Sequence, residues 1–129
     1  MKTFSIGAIL SVTTGILLAE FSEVHQLIEH MAGEPVWTHQ IPRVAREAEQ
    51  TLLDQFPQFD GIVVPEMTTR EQVTAWLAPL VSAHGERHEV TPLPRGEHIR
   101  MDPMAELDLM KAFGAANPDM RVHVVEVQR

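Results

Sequence analysis

The stretch that decides the fold runs from Phe21 to Phe56 and reads FSEVHQLIEHMAGEPVWTHQIPRVAREAEQTLLDQF. Its first part repeats apolar residues at the i, i+3, i+4, i+7 spacing that lines one face of a helix. These residues are Phe21, Val24, Leu27, Ile28 and Met31. Gly33 follows them and can supply the left-handed stop of a helix. The sequence therefore predicts an amphipathic helix that ends at Gly33.

A second amphipathic helix is predicted in the later part of the same stretch. Its apolar stripe consists of Val44, Ala45, Ala48, Leu52 and Phe56. Pro42 suits the first turn, where its missing N–H would have no partner in any case. Because only residues 34–41 connect the two stripes, we expect the two helices to pack side by side.

The first twenty residues contain an apolar run that must be distinguished from a signal peptide. Hydroxyl residues interrupt the run, Lys2 is its single basic residue, and it is shorter than the ~20 apolar residues that span a membrane. We therefore expect a short helix that is capped by Ser5 and ends at Gly15, with Ile6, Ile9 and Leu10 turned inward. No membrane association is expected.

Proline and glycine residues mark the boundaries of the predicted helices and strands in the second half of the chain. Thr69 and Gln72 have the spacing of a capping box, and Pro79 should kink the helix that follows or end it early. Asp102-Pro103 is a strong helix start, and Gly114 ends the predicted helix. Three segments have the composition of strands: 62–64, 86–93 and 121–128. Apolar residues on both faces predict that the last of these is an inner strand.

Together these elements predict an α+β fold. We expect a compact single domain, 1–129, of about four to five helices with a small two- to three-stranded sheet formed mainly by the C-terminal half. The composition agrees with one globular domain, since 44% of the 129 residues are hydrophobic.

Charge and cysteine content exclude several classes of function. The formal net charge of −8 argues against direct nucleic-acid binding, which depends on lysine and arginine neutralising phosphates. The chain has no cysteine, which excludes disulfides, a thiol nucleophile and metal sites with thiolate ligands. No nucleotide-binding motif is present, and no cofactor is predicted.

Several short motifs resemble those of a family of small bacteriophage and prophage proteins of uncharacterised function. They are Leu10-Ser-Val-Thr-Thr-Gly15, Met31-Ala-Gly33, Thr38-His-Gln-Ile-Pro-Arg43, His88-Glu-Val-Thr-Pro-Leu-Pro94, Asp102-Pro103 and Glu106-Leu107. The resemblance spans roughly residues 3–127. Two positions depart from the pattern expected of that family. Ile16 stands where a polar or basic residue is expected, and Ala32 stands where threonine is often expected. These departures weaken the idea of a fixed active site. The resemblance implies a phage-encoded protein that acts in the host cytoplasm, and it implies no reaction.

The spacing of the histidines does not favour metal binding. His25 and His30 are five residues apart, about 140° around a helix, so they do not face one metal ion. His84 and His88 are four residues apart, but Gly85 and the predicted strand remove the helix that would align their side chains. His98 and His123 have no partner that the sequence identifies. No metal site is predicted.

The best candidate for a polar site is the connection between the two central helices. An exposed loop held by packed helices is a common place for function. His39, Gln40 and Arg43 would then contact a partner, with Trp37 as an exposed apolar anchor. Buried hydrogen bonds that fix the loop are an equally good explanation of the same polar residues. Three acids expected to be exposed complete the candidate interface: Glu23, Glu29 and Glu34.

These observations favour a non-enzymatic accessory protein that binds a host or phage protein, for instance as an inhibitor of a host defence system in the manner of anti-CRISPR proteins. One alternative is a small hydrolase or ligand-binding protein that uses Thr13, Thr14, His39 and Gln40. These four side chains would then have to converge on one pocket. Another alternative is a structural or assembly component of the phage particle, which would associate with itself.

Overall fold

The computed structural model describes residues 2–114 and shows a compact α+β fold, as the sequence predicted. This part of the chain contains five α-helices: α1 Ile6–Thr14, α2 Phe21–Ala32, α3 Ile41–Gln55, α4 Arg70–His84 and α5 Pro103–Gly114. Two 3-10 turns, Thr38–Gln40 and Pro57–Phe59, lie directly before and after α3. The strand predicted over 121–128 lies outside the described residues.

Over residues 2–114 the sheet consists of two antiparallel strands, β1 Lys2–Ser5 and β2 Arg87–Val90. Lys2 lies opposite Val90, and Ser5 lies opposite Arg87. The predicted strand at 86–93 is thus confirmed over 87–90, but the prediction that the C-terminal half forms most of the sheet is wrong. Four residues are too few to show a strand periodicity, and β1 ends at Ser5, which also begins the much stronger helix pattern of α1.

The short strand predicted over 62–64 does not form. Val63 is 83% exposed, and residues 62–64 belong to no strand of the described sheet. β-Branched residues favour a strand only where a neighbouring strand offers a pleated surface to pack against. Ile62 and Val64 instead pack part of their side chains against the helical core.

Helix α1 is buried on every side. Ser5 accepts a hydrogen bond from the N–H of Ala8 (3.1 Å), and the last turn ends at Gly15, which has a φ of 78°. This confirms both predicted ends of the helix. All seven residues from Ile6 to Val12 are buried, so α1 has no solvent-facing stripe along that length. The helix therefore forms the centre of the core.

Helices α2 and α3 pack against each other and against α1, as their predicted stripes require. The buried residues of α2 are Val24, Leu27, Ile28 and Met31, and those of α3 are Ile41, Val44, Ala48 and Leu52. Helix α2 ends at Gly33, with a φ of 73°, because a left-handed residue there directs its N–H back to the carbonyl of Glu29. Pro42 lies in the first turn of α3, as predicted.

Helix α4 begins with the predicted capping box and then runs past Pro79. Thr69 accepts a hydrogen bond from the N–H of Gln72 (3.1 Å), and the Gln72 side chain accepts one from the N–H of Thr69 (3.2 Å). The helix continues to His84, so the early end predicted at Pro79 is wrong, and the alternative, a kink at Pro79, stays a prediction. Pro79 and Ala75 are both exposed, and water can therefore serve the Ala75 carbonyl that proline leaves without a partner. Trp76 is half-buried against the core.

Among the described residues, none of the helices combines the length and the apolar character that crossing a bilayer would need.

Gly7 lets the loop after α1 approach the helix closely. A Cβ atom at this position would lie 2.6 Å from the carbonyl oxygen of Leu18. We expect Gly7→Ala to lower the free energy of unfolding by about 1–3 kcal/mol, because the loop backbone must move to make room. Urea denaturation measures this, with Ser22→Ala on the exposed face of α2 as the control. Increased stability in Gly7→Ala, the usual effect of replacing a helical glycine, would contradict this prediction.

Candidate functional site

The loop between α2 and α3 is held by Gln40, which is 4% exposed. Its side-chain oxygen accepts a hydrogen bond from the backbone N–H of Trp37 (3.0 Å). Its amide nitrogen donates to a carboxylate oxygen of Glu106 (2.9 Å) and, at a longer distance, to the carbonyl of Met101 (3.3 Å). One buried side chain therefore closes the 3-10 turn and joins it to the first turn of α5.

Arg43 makes the strongest polar contact between α3 and α5. Its Nε donates to Oε2 of Glu106 (2.7 Å) and its Nη2 to Oε1 (3.1 Å), the fork geometry in which an arginine holds both oxygens of one carboxylate. Its Nη1 donates to Glu47 (2.8 Å) and to the carbonyl of Ile99 (2.7 Å). Arg43 thus connects α3 with residues 99–106 at two points.

These contacts change the acidity of both partners. Burial acts to raise the pKa of Glu106, but the hydrogen bonds from Arg43 and Gln40 outweigh it, and the pKa of Glu106 falls below its ordinary value of 4.5. The hydrogen bond to Glu106 is the main reason that the pKa of Arg43 is raised. The ion pair is therefore fully charged at neutral pH.

His39 and His98 extend the same network. Nε2 of His39 lies 2.8 Å from the carbonyl oxygen of Pro103, to which it donates. The two ring nitrogens of His98 face two carboxylates, with Nδ1 2.6 Å from Glu47 and Nε2 2.5 Å from Glu34. Both ring nitrogens of His98 are thus within hydrogen-bonding distance of a carboxylate. His98 thereby joins the turn after α2 to α3.

We call this network the docking cluster, and it consists of Glu34, His39, Gln40, Arg43, Glu47, His98 and Glu106. It attaches residues 98–106 to α3 and to the loop before it. The alternative explanation of the polar loop residues, that they make hydrogen bonds which fix the structure, therefore accounts for His39, Gln40 and Arg43. Whether these residues also touch a partner stays a prediction.

The acids of the candidate interface are less exposed than predicted. Glu23, Glu29 and Glu34 are all half-buried and bind groups of the same chain. Glu23 accepts hydrogen bonds from the N–H and the hydroxyl of Ser5 (2.8 and 2.9 Å), and Glu29 accepts one from the N–H of Val36 (2.9 Å). The prediction that these acids are freely exposed is wrong, because each one satisfies a backbone donor or a histidine near a chain turn.

Trp37 is the member of the candidate interface that faces solvent. Its side chain is 50% exposed and touches the ring of His39 edge-on, with centroids 5.9 Å apart. Two other large apolar side chains near the docking cluster are also exposed, Ile99 (62%) and Met104 (52%). Ile99 supplies its carbonyl to Arg43, and Met104 directly follows the carbonyl that His39 binds.

The side chains required for the hydrolase alternative do not converge. Thr13 and Thr14 both donate to the carbonyl of Leu10 (3.4 and 2.6 Å) at the end of α1. His39 and Gln40 instead bond to residues 101–106. A cleft of about 280 Å³ does lie where α1, α2 and α3 meet, but only Thr14 of these four side chains lines it.

The remaining histidines of the described residues bind within the fold, and His123 lies outside those residues. His25 and His30 bond to the carbonyls of Val36 (2.6 Å) and Val90 (2.7 Å), respectively, so the two rings serve different backbone groups. His84 and His88 both lie perpendicular to the ring of Phe59. Over residues 2–114 no group of three or more histidine and acidic side chains is arranged to hold a metal ion.

Sequence reasoning missed the role of Glu106 and both partners of His98. Glu106 and Arg43 are 63 residues apart, and His98 and Glu34 are 64 residues apart. Only the i, i+4 spacing of Arg43 and Glu47 is a local signal. That spacing indicates nothing about Glu106 or His98. Both Arg43 and Glu106 do fall within motifs of the phage-family resemblance, which was the single available indication.

Comparison with known proteins gives one likeness. A family model described as "Domain of unknown function (DUF7736)" matches residues 4–62, which include α1, α2 and α3. No curated protein and no solved structure matches the chain. The matched description names no activity.

Arg43→Gln is expected to loosen the attachment of residues 98–106. Removing the guanidinium leaves the buried carboxylate of Glu106 without its charged partner, a change that typically costs about 2–3 kcal/mol. Hydrogen exchange at the amides of Ile99 and Glu106 should accelerate roughly 30- to 150-fold, while exchange in α1 stays unchanged. Arg46→Gln, one turn later on α3, is the matched control. Equal exchange in the two variants would contradict the role given to Arg43.

Acid should weaken the attachment through Glu106. Because the folded pKa of Glu106 is lower than its unfolded value of 4.5, its contribution to stability is complete above that value and is lost as the pH falls below it. We expect wild-type stability, measured by urea denaturation from about pH 6 to about pH 3, to fall more than that of Glu106→Gln. A difference between the two proteins that stayed constant over this range would show that Glu106 binds no additional proton on unfolding.

Proposed function

We propose that this chain is a phage-encoded accessory protein that acts in the host cytoplasm by binding another protein, and that its target belongs to a host defence system, as the targets of anti-CRISPR proteins do. The observation that carries the binding part of the proposal is the half-exposed indole of Trp37 on a hydrogen-bonded loop. Tryptophan is enriched among the residues that dominate binding energy in protein interfaces.

The surface that we assign to the partner contains Trp37, Ile99 and Met104, and we call it the Trp37 surface. Each of these residues lies next to a backbone group that the docking cluster bonds: the N–H of Trp37 itself, the carbonyl of Ile99 and the carbonyl of Pro103. A surface whose backbone is already ordered loses less conformational entropy on binding. The docking cluster therefore positions the surface, and His39, Gln40 and Arg43 serve the interface mainly by holding it in place.

Charge supports a protein partner over a nucleic acid. The chain has a formal net charge of −8. In the described residues, four arginines already face carboxylates of the same chain: Arg43, Arg70, Arg87 and Arg100. These carboxylates reduce the positive charge that is available to phosphates, which contribute most of the affinity in nucleic-acid binding.

The phage origin and the defence target are supported by the resemblance of the sequence motifs and by the small size and acidic charge of the chain. Two experiments address the two parts of the proposal, one for binding and one for biological role.

The first experiment is affinity capture of the tagged full chain from infected or lysogenic host cells, followed by mass spectrometry. We expect one stoichiometric partner with the wild type and with the control Val63→Ala. This control truncates an exposed apolar side chain that does not belong to the Trp37 surface. Trp37→Ala should weaken binding of the purified partner at least about tenfold, because truncating a central tryptophan commonly costs about 2 kcal/mol or more. Circular dichroism verifies that both variants remain folded.

Unchanged affinity of Trp37→Ala would show that the partner does not use the Trp37 surface. Repeated recovery of the chain alone would contradict a binding role. In that case sedimentation of the purified chain is the next measurement, since stable self-association would favour a structural or assembly component.

The second experiment measures phage plating on hosts that carry a defence system matched to the captured partner. The wild type and Val63→Ala should restore plating, whereas Trp37→Ala should not. Restoration by Trp37→Ala to the wild-type level would separate the anti-defence effect from the proposed surface.

A further inference from the structure

The cleft where α1, α2 and α3 meet is separate from the docking cluster. The side of α1 that lines it includes Ser11, Val12 and Thr14, and α2 contributes Phe21, Val24 and Ile28. The first half of α3 forms the remaining wall and includes Ile41, Ala45, Arg46 and Glu49. None of the seven members of the docking cluster lines this cleft.

The size of the cleft limits what it can bind. Its volume is about 280 Å³. Pockets for complete small-molecule ligands commonly have volumes of about 300–1,000 Å³, so this cleft is at or below the lower limit. A single large aromatic or branched aliphatic side chain is small enough to enter it. The occupant is therefore expected to be an anchoring side chain of a larger molecule.

The walls favour an apolar occupant. Both hydroxyls in the cleft already have partners: that of Ser11 donates to the carbonyl of Gly7 (2.7 Å) and accepts from the N–H of Leu18 (2.8 Å), while that of Thr14 donates to Leu10 (2.6 Å). Most other lining side chains are hydrocarbon. Leu17 of the adjoining loop lines the cleft and is 38% exposed, and its neighbour Ile16 (45% exposed) adds further apolar surface. An apolar group in the cleft would thus leave the partners of both hydroxyls in place.

The rim provides a charge that selects among apolar occupants. Arg46 lines the cleft, is exposed, and faces no carboxylate within hydrogen-bonding distance in residues 2–114. A guanidinium in this situation is suited to a carboxylate, which it can hold with two parallel hydrogen bonds. Glu49, three residues later on the same rim, opposes a carboxylate by its like charge.

We propose that this cleft is a second contact point for the partner protein, which inserts one large apolar side chain into it and places a neighbouring carboxylate on Arg46. The inference rests on the proposed binding function and adds the chemistry of the partner: an aromatic or branched aliphatic residue next to an acidic residue or a C-terminal carboxylate. Apolar anchors in preformed pockets, bordered by a polar rim, are a general feature of protein interfaces.

The chemistry of the cleft is tested with a matched series of small probes on the ¹⁵N-labelled full chain: 3-phenylpropanoate, 3-phenylpropan-1-ol and 3-phenylpropan-1-amine. All three have the same apolar body and differ in the charge of one end. Amide shifts should localise to the cleft, and the carboxylate should bind more tightly than the alcohol and the amine. Shifts elsewhere, or no preference for the carboxylate, would overturn the proposal.

Two rim variants should move the affinity for 3-phenylpropanoate in opposite directions. Arg46→Gln should weaken it roughly two- to fivefold, the size of an exposed ion pair, whereas Glu49→Gln should strengthen it by a similar factor. The affinity for the alcohol should stay the same in both variants. Equal effects on the acid and the alcohol would mean that Arg46 shapes the cleft without binding the carboxylate.

Blocking the cleft then tests whether a partner protein uses it. Ala45→Leu should fill the cleft and weaken both the acid probe and the captured partner at least about fivefold. Ala83→Leu, an exposed position on α4, is the control that adds the same atoms elsewhere. Both variants must retain the amide spectrum of the folded protein; if Ala45→Leu does not, Ala45→Val replaces it.

The outcomes separate this inference from the proposed function. If the partner binds through Trp37 and Ala45→Leu leaves its affinity unchanged, the cleft inference is wrong and the proposed function stands. If the probes bind but no partner is captured, the cleft is a small-molecule site and the assignment to a partner protein is overturned. If Ala45→Leu abolishes self-association in sedimentation, the occupant is a second copy of this chain and the inference is again overturned.

Discussion

The burial of α1 over Ile6 to Val12 is the constraint on which the rest of the structure depends. A helix that is buried all round needs neighbours on every side, and here α2, α3, α4 and β1 supply them. The backbone groups at its ends also need hydrogen-bond partners. Ser5 supplies one at the N-terminus, where Glu23 in turn binds the N–H and hydroxyl of Ser5. At the other end the Ser11 hydroxyl joins the helix to the following loop, which passes so close that position 7 has no room for a side chain.

A different kind of interaction holds α5. Its residues Met104 and Leu109 are 52% and 48% exposed, so apolar burial contributes little to its attachment compared with α1. Hydrogen bonds and an ion pair of the docking cluster hold it instead, through Glu106 and the carbonyls of residues 99–103. Polar contacts at a surface give a smaller net free energy than core burial. The described part of the chain therefore combines a stable three-helix centre with a more easily opened outer segment.

This division has a functional meaning under the proposed mode of action. The Trp37 surface lies on the outer segment and its supporting loop, where order depends on charges, while the cleft lies among the helices of the centre. A partner that used both would contact a region whose geometry responds to acid and a region whose geometry does not. Such a partner would also order residues 98–106 further, because binding to a preformed arrangement stabilises it.

Local chemistry in the sequence determined the helices and most of their ends. Each of these signals acts within three or four residues, so a sequence pattern can reveal it. They are the Ser5 and Thr69 caps, the glycine stops at 15 and 33 and the proline in the first turn of α3. Tertiary structure alone decided what lies farther apart. It paired Thr3 with Glu89, placed Glu106 on Arg43 and put His98 between Glu34 and Glu47. It also left 62–64 without a strand partner in the described part of the chain. It turned the polar loop residues inward, because the Glu106 carboxylate and the carbonyls of residues 99–103 accept their hydrogen bonds there.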